Sequence, residues 1–98
     1  MAAYLIGQMS IVNSNQYGEY KKLTPQIVEK FGGKFLARGG ERTNLEGPVD
    51  DRRVVLVEFE TADAAKKFYE SPEYTFAREL RRDAAIGMQL LIVEGFEG

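Results

Sequence analysis

Arg53-Val54-Val55-Leu56-Val57-Glu58-Phe59 is the clearest strand in the chain. Just after it, Thr61 is placed to cap a short helix, with Asp63 in the first turn where a negative charge suits the helix dipole. Ser71-Pro72-Glu73 then restarts the helix, with serine as N-cap, proline at the first position and an acid next. The apolar stripe expected on this second piece is Phe76, Ala77, Leu80 and Ala84. A last strand is expected over Leu90 to Val93, closed by Gly95.

Upstream of Arg53, Gly47-Pro48 marks a turn or loop. Lys34 to Arg38 reads as a strand running into Gly39-Gly40, with a resumption through Leu45 left open. Before it, Tyr17, Tyr20, Thr24, Ile27 and Phe31 recur at helical steps behind the capping run Asn13-Ser14-Asn15. Pro25 withdraws one backbone donor inside that helix and should kink it, and Gly32-Gly33 ends it. Residues 3–12 form the first strand.

The order β-α-β-β-α-β is the split βαβ, or ferredoxin-like, pattern. It predicts an α+β fold with one antiparallel sheet, both helices on one face, and the second helix split at Ser71-Pro72. The 98 residues allow a single domain, 1–98. Histidine and cysteine are both absent, which removes Ser-His and Cys-His triads, disulfides and nearly every zinc site. No metal and no cofactor is therefore expected. Thirteen basic residues against fifteen acidic, with no basic stripe, argue against nucleic acid. Apolar runs fall far short of the roughly 20 residues that span a bilayer, so no membrane association is expected. Met1-Ala2-Ala3-Tyr4 lacks a basic region, so no signal peptide is expected and the cytoplasm is the default location.

Side chains alternate between the faces of a strand. One set reads Leu5, Gly7, Met9, Ile11, Phe35, Ala37, Val55, Val57, Phe59, Leu91 and Val93, and is expected under the helices. The other holds Ile6, Leu36, Leu56 and Ile92 among Tyr4, Gln8, Arg38 and Glu58. That face is too apolar to meet water, which predicts a homodimer packed through the sheets.

The run Phe31-Gly32-Gly33-Lys34-Phe35-Leu36-Ala37-Arg38-Gly39-Gly40 resembles the signature of the domain of unknown function 1330. So do Arg53 to Phe59, Phe68-Tyr69-Glu70-Ser71-Pro72-Glu73-Tyr74 and Val93-Glu94-Gly95. The resemblance covers nearly the whole chain. It implies membership of the dimeric α+β barrel superfamily, whose members include cofactor-free monooxygenases, lactone isomerases, haem proteins and ligand-sensing domains. It implies no particular substrate.

Arg38 and Glu58 are the candidate catalytic residues: on one face of adjacent strands they could clamp a carboxylate or enolate. The same pair could equally be a self-satisfied ion pair in the dimer interface. Tyr69 and Tyr74 beside the helix break, with Tyr4 and Gln8, are candidate ligand-binding residues. Ser71 is read as a helix cap. Tyr74, Arg78 and Arg81 share a helical face that could hold an anion, although a solvated face is the ordinary reading. Two uses of the site stay open: a cofactor-independent enzyme for a small anionic or enolisable compound, or a ligand-sensing or structural dimerisation module.

Overall fold

Residues 1–96 are described by a computed structural model, in which seven elements follow one another. They are β1 (Ala3–Ile11), α1 (Ser14–Lys30), β2 (Lys34–Arg38), β3 (Arg53–Phe59), α2 (Ala62–Glu70), α3 (Pro72–Leu80) and β4 (Ala85–Glu94). The four strands make one antiparallel sheet in the order β2-β3-β1-β4, with the helices packed on one face. This is the ferredoxin-like topology.

The expected barrel is not formed. β2 and β4 are the two edges of the sheet, with β3 and β1 between them, and the sheet is neither closed nor curled. Closure needs every strand paired on both sides, and here the sheet is open. Among the described residues, no helix is long and apolar enough to cross a membrane.

The local signals act where they stand. The Asn13 side chain accepts from the Gln16 amide at 3.0 Å, and Thr61 does the same for Ala64. Helix α1 ends in a Schellman arrangement: Gly33 N donates to Val28 O, Gly32 N to Glu29 O, and Gly32 takes φ 76°. Ser71 serves two helices with one hydroxyl. It donates to Phe68 O at 2.7 Å, closing α2, and accepts from Tyr74 N at 3.1 Å, opening α3.

Phe59 and Phe68 are the largest fully buried side chains. Phe68 lies at the centre of an aromatic cluster, 5.3 Å from Phe59 and 4.4 Å from Tyr74 between ring centroids. The glycine at 33 belongs to this cluster, because a Cβ there would come within 2.7 Å of the Phe59 ring.

Three sequence expectations are corrected. Strand β4 starts at Ala85, five residues early, and its parity is reversed: Ile92 pairs with Leu5 and Leu90 with Gly7, so these two face the helices. Leu91 and Val93 instead face outward, 41% and 47% exposed. In α3 the buried positions are Tyr74 and Ala77, whereas Phe76 is 64% exposed. Residues 39–52 form no further strand.

Candidate functional site

Strand β2 contains a bulge between Phe35 and Ala37, where the register against β3 shifts. The extra residue reverses the alternation, so Arg38 stands opposite Val55, on the helix side of the sheet. Glu58 stands opposite Tyr4 and Lys34, on the bare side. The two candidate catalytic residues therefore lie on opposite faces and do not pair.

Arg38 is held from above by α1. Pro25 has no N–H, so the carbonyl of Lys21 loses its regular helical donor. The Arg38 Nη2 fills that vacancy at 2.7 Å and also donates to Thr24 Oγ1 at 3.1 Å. Its guanidinium is 4.7 Å from the centre of the Phe35 ring. The helix defect thus fixes a cation at the edge of the space beneath it.

That space is a narrow inner cavity between α1 and the sheet. Tyr17, Tyr20 and Thr24 line it from the helix, Met9, Arg38 and Arg53 from the sheet, and Phe68 and Tyr74 from behind. Its free volume is about 40 Å³, room for a few waters and well under the roughly 300 Å³ of a typical small-molecule pocket. An outer cleft of about 540 Å³ adjoins it, lined by Ser10, Gly39, Gly40, Arg42 and Asp51. Met9 and Arg53 belong to both and mark the junction.

Arg53 is packed tightly at that junction. Its guanidinium lies against Gly39 (φ 75°), where any Cβ would collide with it. It sits 5.8 Å from the Tyr17 ring, and its Nε is buried with no hydrogen-bond partner among the described residues. Among the described residues, no carboxylate lines the inner cavity.

The phenols behind the cavity form a connected group. The hydroxyls of Tyr20 and Tyr74 are hydrogen-bonded at 2.7 Å. Burial is the main cause that pushes the Tyr20 pKa up, and Tyr74 adds to it by charge and by that bond. Burial also raises Tyr17, against the opposing pull of Arg53 and Arg81. The Arg81 guanidinium lies 5.2 Å from the Tyr20 ring. Burial works against its charge but is outweighed by Tyr74 and Tyr20, so its pKa is raised.

The six candidates thus occupy three places. Arg38 and Tyr74 line the inner cavity. Tyr4, Gln8 and Glu58 lie on the bare sheet face, where Gln8 Oε1 meets Arg52 Nη2 at 3.5 Å. Tyr69 is at the end of α2, its hydroxyl accepting from Arg78 Nη1 at 2.5 Å. Sequence reasoning missed Arg53 and read Tyr17 and Tyr20 only as part of the helical repeat of α1. The available signal was Met9, whose inward parity extends to Arg53 once the two strands are paired. Among the described residues, no group of three or more acidic side chains could hold a metal ion.

Residues 2–96 match the model of a family described as a domain of unknown function (DUF1330). No curated protein matches the chain. Among solved structures, a protein of unknown function from Rhodopseudomonas palustris is 18% identical, with TM-score 0.79 over 99% of this chain and 84% of its own. A dimeric protein of unknown function and ferredoxin-like fold from Bacteroides fragilis is 14% identical, with TM-score 0.66 over 96% of each chain. A cofactor-independent oxygenase from Streptomyces nogalater is 10% identical, with TM-score 0.61 over 99% of this chain and 95% of its own. At these identities the likeness is one of fold.

Proposed function

The chain belongs to the DUF1330 family, and from the geometry of its site we propose that it binds a small enolisable organic acid, with Arg53 and Arg38 as partners of the anion. The observation that carries this reading is Arg53, whose side chain lines both the inner cavity and the outer cleft and whose Nε is buried with no partner among the described residues. A desolvated donor without an acceptor is costly, and an anionic oxygen would supply the acceptor. The inner cavity takes only the head of such a ligand, and the polar cleft takes the rest. Two guanidinium groups, with no carboxylate among the described residues lining the inner cavity, favour an enolate over its neutral form. The test is titration of the full chain with pyruvate and acetoacetate as probes. Saturable binding is expected, weakened about tenfold or more in Arg53→Met with the fold retained by circular dichroism. Unchanged affinity in that variant would overturn the assignment.

The shared fold with a cofactor-independent oxygenase supports a second reading, in which the bound enolate reacts with dioxygen. Oxygen uptake by the protein and probe, without added metal or flavin, distinguishes the two. Binding without uptake leaves a ligand-binding or sensing module.

The partner we propose for the bare sheet face is a second copy of the chain. Leu36, Leu91 and Val93 are exposed there beside the half-buried Ile6 and Leu56, and the Bacteroides fragilis relative is dimeric. A stable contact would bury at least about 1,200 Å² in total. Light scattering should give twice the 11.0 kDa of the chain, and a single-chain mass at micromolar concentration would exclude this partner.

A further inference from the structure

We propose that the groove between α3 and β4 is a second binding site, built for the dianionic head of a small phosphate monoester. It is lined by Tyr69, Arg78, Glu79, Arg81, Arg82, Met88 and Leu90, and encloses about 450 Å³ open to solvent. Three arginines thus line one concave surface. Their carboxylate compensation is incomplete. Glu79 is bonded to Arg82 at 3.2 Å, while Arg78 and Arg81 have no acidic partner among the described residues. The uncompensated charge is therefore two positive units, which a phosphate monoester would match.

The two guanidinium groups without an acidic partner among the described residues are also held in place before any ligand arrives. Arg78 lies 4.4 Å from the centre of the Tyr69 ring and donates to its hydroxyl, so its plane is fixed. Arg81 rests against the Tyr20 ring. Both have an Nε buried away from water with no acceptor among the described residues, so part of the cost of desolvating them has already been met in the fold. Fixed planar donors of this kind suit phosphate oxygens, which accept paired hydrogen bonds from arginine.

The groove is separate from the cavity beneath α1 in its anion-facing residues, since neither Arg38 nor Arg53 lines it. Calorimetric titration of the full chain with inorganic phosphate at constant ionic strength tests the assignment. One phosphate per chain is expected, with a dissociation constant of about 1 mM or tighter. Arg78→Gln should weaken it about tenfold or more, and the exposed Arg82→Gln by about threefold. Arg78→Lys keeps the charge and much of the stem, and should show the same direction of loss without disturbing the fold. Arg53→Met should leave phosphate binding unchanged. No binding to the natural chain, or full affinity in both Arg78→Gln and Arg82→Gln, would overturn the proposal. So would loss of phosphate binding in Arg53→Met, which would put the anion in the other site.

Discussion

The hydroxyls of Tyr20 and Tyr74 meet at 2.7 Å and join α1 to α3 behind the inner cavity. Each phenol is the other's polar partner in a region from which water is largely excluded. Tyr20→Phe leaves the Tyr74 oxygen without that partner and should cost about 1–2 kcal/mol in denaturant unfolding. The pair also sets an alkaline limit. The Tyr20 pKa is raised from the ordinary 10.0, so the folded protein keeps a proton that the unfolded chain has shed. That contribution is intact below pH 10 and is lost as pH rises beyond it. Ultraviolet titration should show late-ionising phenols, one fewer of them in the phenylalanine variant.

Ser71→Ala removes both bonds of the shared hydroxyl, one from each helix. A loss of about 0.5–2 kcal/mol is expected, with anion affinity nearly unchanged. Thermal melts and a parallel titration measure the two quantities. A collapse of affinity at constant melting temperature would make Ser71 part of the site.

Pro25→Ala should move stability and binding in opposite directions. The new N–H can bond Lys21 O within the helix, and losing the proline should favour α1 by about 1–3 kcal/mol. The same bond competes with Arg38 for its anchor. Affinity for acetoacetate should then fall by about threefold or more, as Arg38 becomes free to move. A variant more stable and equally tight would show that the anchor does not matter.

Asp50 gives an acid-side prediction. Arg52 donates to its carboxylate from Nε and Nη2, and from its own backbone amide. These bonds lower the Asp50 pKa from 3.8 to about 2. The depressed pKa contributes stability that is full above 3.8 and is lost as pH falls toward 2. Carbon-detected titration should place the Asp50 midpoint near 2, and Asp50→Asn should flatten the stability profile across that window.

The helix caps, the split at Ser71 and the order of the elements were legible because each depends on a few adjacent residues. Arg38 was not. Its side of the sheet depends on a bulge that Phe35-Leu36-Ala37 does not announce, and one extra residue inverts everything beyond it. The faces of β4 failed for a different reason. Leu90-Leu91-Ile92-Val93 is apolar at every position, so only the pairing of Ile92 with Leu5 says which side is which. Arg53 was overlooked because its importance comes from Gly39 and Tyr17, neither of them near it in sequence. The barrel was an expectation carried by the family resemblance alone, and an open four-stranded sheet replaced it.

The strand order β2-β3-β1-β4 has a consequence for how the protein is made. β1 is synthesised first of the four strands yet lies inside the sheet, and its neighbour β4 is synthesised last. Until β4 emerges from the ribosome, the nascent chain carries an unpaired edge along β1 beside a core that Leu90 and Ile92 have not yet completed. Such an edge invites pairing with other nascent chains. The vulnerable period is therefore the pause before the last ten-residue strand, and slow codons between α3 and β4 would lengthen it.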